Sequence, residues 1–224
     1  MDGDERVIAV VFDLDGVVVD SEALQLAAWE RYVGRFGRTL PDELLPRLFG
    51  QRLVDAARII VEALALPVPP DEAARERDAI FLTHLPGNVR PMPGALELLA
   101  TLHARAVPLG LATSGHRRYV QVVLNELGLT QTFAVVVTGD DVRHGKPAPD
   151  CYRLAAARLG LPPERCVAIE DAPLGVAAAR AAGLRCLAVP NDHTRHLGGL
   201  EAADAVLAGL DAVLPWLEES GWLA

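Results

Sequence analysis

The most informative stretch of this 224-residue chain reads Val7-Ile8-Ala9-Val10-Val11-Phe12-Asp13-Leu14-Asp15-Gly16-Val17. It begins with a continuous apolar run, and a short run that is rich in Val and Ile predicts a strand buried on both faces. Asp13 and Asp15 follow the run directly. Open sheets of parallel strands bind their ligands at the carboxyl ends of the strands. This stretch therefore predicts a strand together with a pair of carboxylates at a ligand-binding edge.

Further apolar runs predict the rest of a sheet. Runs of the same kind lie at residues 107–112, 134–137, 166–169 and 186–189. A shorter run at 204–207 is typical of an edge strand. The predicted helices between the later runs end at Gly128, Gly160 and Gly183, and glycine takes the left-handed conformation that closes a helix at no steric cost. Strands that alternate with helices predict an α/β fold with a Rossmann-like parallel sheet.

A helical segment interrupts this alternation. Residues 20–89 show helical periodicity and no convincing strand. The helices are expected at residues 22–36, 42–49, 52–64 and 71–85. Ser21 is expected to cap the first of them. We therefore predict two domains: an α/β core of residues 1–19 and 90–224, and a small helical domain of residues 20–89 inserted after the first strand.

The composition argues against several classes of function. The chain has 30 acidic and 21 basic residues and a formal net charge of −9, whereas nucleic acids and anionic membranes require a basic face. It has no run of 18 consecutive apolar residues, so no membrane span is expected. Its acidic start lacks the pattern of a signal peptide, so we expect a cytoplasmic protein. The three widely spaced cysteines fit neither a disulfide framework nor a zinc site, and we expect them to be buried.

Polar side chains also stand at the ends of two other predicted strands. They are Thr113-Ser114-Gly115 after one strand and Glu170-Asp171 after another. Lys146, the one lysine among 21 cationic residues, lies in a proline-rich loop before a predicted helix. Because the carboxyl ends of parallel strands lie on one edge of a sheet, we expect these groups to meet Asp13 and Asp15 there.

The four motifs at these strand ends and in the lysine loop, taken in chain order, resemble those of the haloacid dehalogenase superfamily. They are Asp13-Leu14-Asp15-Gly16-Val17, Thr113, Lys146-Pro147 and Glu170-Asp171. The helical insert after the first motif is similar to the small helical cap of the branch that contains β-phosphoglucomutase and many small phosphatases. The resemblance covers essentially the whole chain. It implies a helical cap that closes over the catalytic edge of the core, and phosphoryl transfer at that edge.

The resemblance implies catalytic roles for four residues. Asp13 is expected to be the in-line nucleophile that forms an aspartyl-phosphate. Asp15 is expected to protonate the leaving oxygen and then take a proton from the incoming nucleophile. Thr113 is expected to bind a phosphoryl oxygen, and Lys146 to neutralise Asp13 and a phosphoryl oxygen. Dehalogenases of the superfamily are expected to lack the second aspartate, so Asp15 favours phosphoryl transfer.

Mg²⁺ is the expected cofactor. Carboxylates repel a phosphate dianion unless a cation lies between them, and Mg²⁺ prefers oxygen ligands. By resemblance, its ligands are the carboxylates of Asp13 and Asp171 and the backbone carbonyl of Asp15. Glu170 is either a further ligand or a carboxylate that supports the ligands.

The expected partner is a small phosphorylated metabolite, bound by a monomer or a small homo-oligomer. The backbone amides of Ser114 and Gly115, near a helix start, are expected to bind phosphoryl oxygens. Other candidate substrate contacts are Glu22, Gln25 and Arg52 from the cap and His116 and Arg117 from the core. A solvated surface position is the alternative interpretation for each of these five.

Three functions are compatible with the sequence. The preferred one is Mg²⁺-dependent hydrolysis of a small phosphomonoester, a sugar phosphate or a related metabolite. A β-phosphoglucomutase-type sugar-phosphate mutase is the alternative, but the family's Asp-Ser/Thr-Glu-x-x-His pattern ends here in Gln25, which cannot titrate. A non-catalytic phosphometabolite-binding protein is the third, and the four intact motifs argue against it.

Overall fold

The computed structural model describes residues 9–223 and contains a six-stranded parallel sheet. Its strands are β1 (Ala9–Phe12), β2 (Leu109–Ala112), β3 (Val135–Val137), β4 (Cys166–Glu170), β5 (Arg185–Ala188) and β6 (Ala205–Val206). Their order across the sheet is β3-β2-β1-β4-β5-β6, and every neighbouring pair is parallel. The predicted α/β fold is confirmed, with the run at 204–207 on the edge. Val7 and Ile8 of the predicted first strand lie outside the described residues.

The sheet is buried on both faces. In β1, Val10 and Phe12 belong to one hydrophobic cluster, and Ala9 and Val11 belong to the other. This double burial explains why the strands are continuous apolar runs in the sequence. The chain order reverses between β1 and β4, so the ends of these two strands flank the switch point at which such sheets bind ligands.

Helices cover both faces of the sheet. The helices of residues 9–223 are α1 (Glu22–Gly34), α2 (Leu53–Leu64), α3 (Pro70–His84), α4 (Ala95–Ala104), α5 (Arg117–Glu126), α6 (Asp150–Leu159), α7 (Pro173–Ala182) and α8 (Val213–Glu219). Helices α4, α5 and α8 pack on one face, whereas α6 and α7 pack on the other. As predicted, α6 and α7 end at left-handed glycines, Gly160 and Gly183. Helix α4 was not predicted.

Helices α1, α2 and α3 form the helical insert, which follows β1. Their shared apolar cluster consists of Trp29, Tyr32, Val33, Ala56, Ala57, Ile60, Leu66, Ala73 and Ala74. A short 3-10 helix, Asp42–Arg47, takes the place of the helix expected at 42–49, because Pro46 has no N–H for an α-helical hydrogen bond. The separate cluster supports a division into two domains, and the boundaries at 20 and 89 stay a prediction.

Two chain segments join the insert to the sheet side by side. The backbone nitrogen of Asp20 donates to the carbonyl of Arg90 at 2.9 Å, and that of Met92 donates to the carbonyl of Val18 at 3.0 Å. An antiparallel bridge between residues 19 and 91 lies between these bonds. The chain therefore leaves the sheet and returns to it at one place, next to the end of β1.

Two further expectations concern membrane-spanning helices and the cysteines. Among residues 9–223, no helix combines the length and the apolar character needed to cross a membrane. Cys151, Cys166 and Cys186 are buried and free, as expected. Burial raises the pKa of the Cys151 and Cys166 thiols to about 11, so both remain protonated at neutral pH.

Candidate active site

Three carboxylates meet at the carboxyl edge of the sheet. Asp13 follows β1, Glu170 ends β4 and Asp171 comes next. One carboxylate oxygen from each residue lies within 4.8 Å of the other two, and all three residues are buried. Because β1 and β4 are neighbours, the sheet brings together the acidic residues of two sequence motifs that lie far apart in the chain.

Lys146 contacts two of these three acidic side chains. Its Nζ lies 2.8 Å from Oδ1 of Asp13 and 2.5 Å from Oε1 of Glu170. The hydroxyl of Tyr152, on α6, donates to the same oxygen of Glu170 at 2.5 Å. Burial opposes the charge on Lys146, but the carboxylates of Asp13 and Glu170 outweigh burial and hold the pKa of the lysine well above its usual range. The ammonium group is therefore a fixed positive charge beside Asp13.

The acidic cluster is suited to bind a cation. Burial raises the pKa of Asp13 to about 8, although Lys146 opposes the shift, and burial raises the pKa of Asp171 well above its usual value. When all three carboxylates are ionised, one ammonium group leaves part of their charge uncompensated. Closely spaced carboxylate oxygens are the ligands that hard divalent cations such as Mg²⁺ prefer. The buried cluster therefore fits a divalent metal.

Glu170 is fixed by hydrogen bonds to both of its oxygens. Its Oε1 accepts from Lys146 and Tyr152, and its Oε2 accepts from the backbone nitrogen of Asp171 at 3.2 Å. Gly175, on α7, leaves room for the carboxylate, because a Cβ atom there would lie 1.9 Å from Oε1. Of the two roles that the sequence left open for Glu170, these contacts favour support of the ligands over direct contact with a metal.

Asp15 faces the cavity between the insert and the sheet. Its Oδ1 accepts hydrogen bonds from the hydroxyl of Tyr119 at 2.5 Å and from the hydroxyl of Ser21. Ser21 occupies the N-cap position of α1, but its side chain makes no capping hydrogen bond. Burial raises the pKa of the Tyr119 phenol well above its usual value, so Tyr119 is a neutral hydrogen-bond donor.

The segment Thr113-Ser114-Gly115 follows β2, as predicted. The Oγ1 atom of Thr113 accepts a hydrogen bond from the backbone nitrogen of Gly115 at 2.9 Å, which leaves the hydroxyl hydrogen of Thr113 available to another acceptor. The hydroxyl of Ser114 donates to the carbonyl of Gly50 in the insert at 2.8 Å. This side chain thus ties the insert to the sheet, and phosphate binding by the amides of Ser114 and Gly115 stays a prediction.

A cavity of about 120 Å³ lies between the insert and the edge of the sheet. Asp13, Asp15 and Asp171 line it. The insert contributes apolar walls, among them Leu26, Trp29, Leu48, Phe49, Leu53 and Phe81. Charged groups that converge in a pocket with apolar walls are typical of sites for small molecules.

The five candidate substrate contacts fall into two groups. Three of them line the cavity: Glu22, Gln25 and His116. Arg52 and Arg117 lie outside its lining. Arg52 donates to the carbonyl of Arg143 at 3.0 Å, and Arg117 forms an ion pair of 2.7 Å with Asp141. Substrate contacts by any of the five stay a prediction.

Four residues of the site were not predicted: Tyr119, Tyr152, Arg77 and Asn191. Tyr119 and Tyr152 lie on buried helix faces, a pattern typical of core residues, so their hydroxyl bonds left no signal in the sequence. The side-chain amide of Asn191 donates to Oδ2 of Asp171 at 2.9 Å and to Oε1 of Glu22 at 3.0 Å. Its place just beyond the carboxyl end of a parallel strand is the signal that could have found it.

Arg77 fixes Gln25. It is 2% exposed, and its Nη2 donates to the backbone carbonyl of Gln25 at 2.7 Å and to the side-chain oxygen of the same residue. Its guanidinium carbon lies 5.2 Å from the ring centre of Trp29 and 4.7 Å from that of Phe81. Burial lowers the pKa of Arg77 to about 10, so it is still charged at neutral pH. Gln25 is therefore held by Arg77 and makes no hydrogen bond with Asp15.

Comparison with known proteins identifies the family of the chain. A family model described as a haloacid dehalogenase-like hydrolase matches residues 8–183. The fructose-1-phosphate phosphatase YqaB of Escherichia coli (strain K12) is 34% identical over 180 residues, which are 80% of this chain and 95% of that protein. Validoxylamine A 7′-phosphate phosphatase of Streptomyces hygroscopicus subsp. limoneus is 35% identical over 203 residues, 91% of this chain and 94% of that protein.

The structure is similar to a solved one from the same family branch. The putative β-phosphoglucomutase of Thermotoga maritima has a TM-score of 0.73 and 31% sequence identity, and the match covers 94% of this chain and 98% of that one. The family model spans all four motifs, from Asp13 to Asp171. The chain therefore belongs to the haloacid dehalogenase-like hydrolase family, in the branch that contains phosphatases and β-phosphoglucomutase-like proteins.

Proposed function

We propose that this chain is a Mg²⁺-dependent phosphatase of small phosphomonoesters, such as sugar phosphates, and that it acts through an aspartyl-phosphate. The observation that carries the proposal is the position of Asp13, which lies 2.8 Å from Lys146 in a buried acidic cluster. Asp13 also lines the cavity together with Asp15, so a nucleophile and a proton donor face the same space. The phosphatase names of the two similar proteins support this reaction class.

The acidic cluster would hold the metal. Asp13 and Asp171 would bind Mg²⁺ with their carboxylates, and the family resemblance adds the backbone carbonyl of Asp15. When bound, Mg²⁺ supplies positive charge that stabilises a phosphoryl group next to these carboxylates.

The first half of the reaction transfers the phosphoryl group to Asp13. A carboxylate oxygen of Asp13 forms a bond to phosphorus while the bond between phosphorus and the leaving oxygen breaks. Asp15 gives its proton to the leaving oxygen and becomes a carboxylate. Lys146 offsets negative charge beside Asp13, and the free hydroxyl hydrogen of Thr113 is proposed to bind a phosphoryl oxygen.

The second half releases phosphate. Water attacks the phosphorus atom of the aspartyl-phosphate, and the bond between phosphorus and the Asp13 oxygen breaks. The carboxylate of Asp15 takes the proton of the attacking water. Inorganic phosphate leaves, Asp13 is again a carboxylate and Asp15 is again protonated, so the cycle is closed.

We also propose that residues 20–89 form a cap that selects the substrate. Polar groups occur among the apolar walls of the cavity: Gln25 comes from the insert, and His116 is the N-cap residue of α5 in the core. The Nε2 atom of His116 lies 2.9 Å from Oδ1 of Asp78 on α3, which is a direct link between core and insert. Hydrogen-bonding groups set among apolar walls fit a hydroxylated carbon skeleton such as a sugar.

A sugar-phosphate mutase is the second candidate, since the chain is similar to a putative β-phosphoglucomutase. A mutase must protect its aspartyl-phosphate from water until a sugar phosphate returns, whereas a phosphatase needs only water. The family pattern has histidine where this chain has Gln25, and Gln25 is held by Arg77. This difference near Asp15 favours the phosphatase.

The test is a substrate panel. Purified protein is incubated with fructose 1-phosphate, glycerol 1-phosphate, β-glucose 1-phosphate and 4-nitrophenyl phosphate, with and without Mg²⁺, and inorganic phosphate is measured. We expect Mg²⁺-dependent release from a sugar phosphate. Asp13→Asn should reduce release by at least about a thousandfold, because it removes the nucleophile. Asp71→Asn, which changes an exposed carboxylate of α3, is the matched control and should retain activity.

Two results would contradict the proposal. Formation of glucose 6-phosphate from β-glucose 1-phosphate without net release of phosphate would establish the mutase instead. Unchanged phosphate release by Asp13→Asn would exclude the aspartyl-phosphate mechanism.

A further inference from the structure

The two oxygens of the Asp15 carboxyl group have different surroundings. Oδ1 accepts hydrogen bonds from the hydroxyls of Tyr119, at 2.5 Å, and Ser21. Among residues 9–223, no protein group donates a hydrogen bond to Oδ2. Because Asp15 lines the cavity, Oδ2 is the oxygen left to interact with what the cavity holds.

This asymmetry decides which oxygen can exchange a proton. A carboxyl oxygen offers two lone pairs in its plane, and two hydroxyl donors occupy both of them at Oδ1. A proton on Asp15 is therefore directed to Oδ2. If the carboxyl group turned over, the proton would lie on the side of Tyr119 and Ser21, out of reach of a leaving oxygen.

We propose that Tyr119 is a positioning residue for the general acid and base: its hydroxyl fixes Oδ1 of Asp15, so that Oδ2 faces the leaving oxygen of the substrate. The inference rests on the proposed phosphatase function, because it concerns the proton transfer within that reaction. Without this hydroxyl, only Ser21 holds the carboxyl group, and the productive orientation is occupied for less of the time.

Tyr119 itself is positioned by both parts of the molecule. The ring of Phe81, on α3 of the insert, meets the Tyr119 ring edge-on with 5.2 Å between their centres. On the core side, Gly115 leaves room for the ring, since a Cβ atom there would lie 2.8 Å from it. The backbone nitrogen of Tyr119 donates to Nδ1 of His116 at 3.3 Å. The placement of Asp15 therefore depends on the packing of the insert against the sheet.

The experiment compares two leaving groups. Help from a general acid matters for an alkoxide, which is a poor leaving group, and matters little for 4-nitrophenolate, which is a good one. The ratio kcat/KM covers only the steps up to departure of the leaving group, so it excludes hydrolysis of the aspartyl-phosphate. For Tyr119→Phe, we expect kcat/KM to fall roughly tenfold or more with the alkyl phosphate of the panel that the parent hydrolyses fastest, and less than about threefold with 4-nitrophenyl phosphate.

Two further variants test whether the effect of Tyr119→Phe comes from its hydrogen bond to Asp15. Tyr32→Phe is the matched control, because it removes a buried hydroxyl that has no hydrogen-bond partner in the described part of the chain, and it should leave both kcat/KM values unchanged. In an Asp15→Asn background there is no carboxyl proton to direct, so Tyr119→Phe should have no further effect on either substrate.

Several outcomes would overturn the proposal. In the first two, Tyr119→Phe lowers kcat/KM equally with both substrates, or lowers it with neither. In the third, Tyr119→Phe causes its full loss of kcat/KM in the Asp15→Asn background as well. Failure of the proposed function looks different, since the parent protein would then release phosphate from neither class of ester.

Discussion

The Nζ atom of Lys146 lies 2.8 Å from Oδ1 of Asp13, and both side chains are almost completely buried. Removing one partner of a buried pair leaves the other as an uncompensated charge, so such pairs are costly to break. The ammonium group of lysine is compact, whereas the guanidinium group of arginine is a broad, planar fork. The chain uses arginine for 20 of its 21 cationic residues and lysine only here. The narrow space between two buried carboxylates gives a physical reason for this exception.

Lys146→Arg should therefore inactivate the enzyme. We expect kcat for phosphate release to fall by at least about a hundredfold, because a guanidinium group cannot occupy the same position between Asp13 and Glu170. Circular dichroism should show that the variant keeps its fold. Arg38→Lys, at an exposed position of the insert, is the control and should have parental turnover. Near-parental turnover of Lys146→Arg would show that a compact ammonium group is not required.

Gly175→Ala should displace Glu170 and thereby disturb the acidic cluster. The added Cβ atom would lie 1.9 Å from Oε1 of Glu170, so the carboxylate that holds Lys146 must move. We expect a loss of stability of about 1–3 kcal/mol, as for other overpacked cores, together with weaker Mg²⁺ binding and lower kcat. Urea unfolding and calorimetric titration measure these effects. The control is Gly34→Ala on α1, where a Cβ atom meets nothing within 4 Å. Parental stability and activity of Gly175→Ala would mean that Glu170 need not hold its position.

Metal affinity should depend on pH through Asp13. Burial raises the pKa of this residue to about 8 when no metal is bound, so at pH 6.5 its carboxyl group must lose a proton before it can bind Mg²⁺. The apparent affinity should therefore rise as pH increases towards 8 and level off above it. Calorimetric titration at pH 6.5 in two buffers of different ionisation enthalpy should detect at least about one released proton per ion, because burial raises the pKa of the second ligand, Asp171, as well. The same affinity at pH 6.5 and 8.5 would argue against a protonated Asp13 in the metal-free protein.

Glu22 should make stability depend on pH. Burial raises its pKa from 4.5 to about 7, and Asp15 adds to the shift. Below pH 4.5 the carboxyl group is neutral in the folded and unfolded chains. As pH rises from 4.5 to 7, the unfolded chain ionises first, so the folded state loses up to about 3 kcal/mol of relative stability, and above pH 7 the difference is constant.

Glu22→Gln should remove this loss and still accept the hydrogen bond of Asn191. Its stability relative to the parent should therefore increase between pH 4.5 and 7, which urea unfolding at a series of pH values measures. The control is Glu62→Gln, which makes the same change at an exposed position of α2. A Glu22→Gln variant with the same advantage at pH 4.5 and pH 8 would contradict the proposed role of burial.

The sheet could be predicted because strands buried on both faces leave continuous apolar runs in the sequence. Helix α4 was not predicted, because its sequence shows little contrast between a polar and an apolar face. Helix α4 has an exposed face that carries Leu96, Ala100 and Ala104. These residues weaken the contrast between polar and apolar faces on which helix prediction depends. The short 3-10 helix at Asp42–Arg47 was expected to be longer, because apolar periodicity alone does not register the hydrogen bond that Pro46 removes.

The acidic part of the site was predictable, and its hydrogen-bond donors were not. Asp13 and Asp171 follow neighbouring strands, so their meeting is a consequence of sheet topology. Tyr119 and Tyr152 come from helices, and which side chains on a buried helix face reach the edge of the sheet depends on packing that no local pattern records. Gln25 illustrates the same limit, since its partner Arg77 lies 52 residues away in the chain.

The two ends of the helical insert are hydrogen-bonded neighbours, since the backbone nitrogen of Asp20 donates to the carbonyl of Arg90. A segment whose ends lie this close can change its length and sequence without straining the strands that it interrupts. If the predicted bounds of 20 and 89 hold, the insert can be replaced as one cassette with two splice points, provided that Ser21 and Phe81, which contact Asp15 and Tyr119, are kept. If the insert selects the substrate as proposed, recognition of the alcohol and chemistry at phosphorus are separate modules, which can evolve or be engineered at different rates.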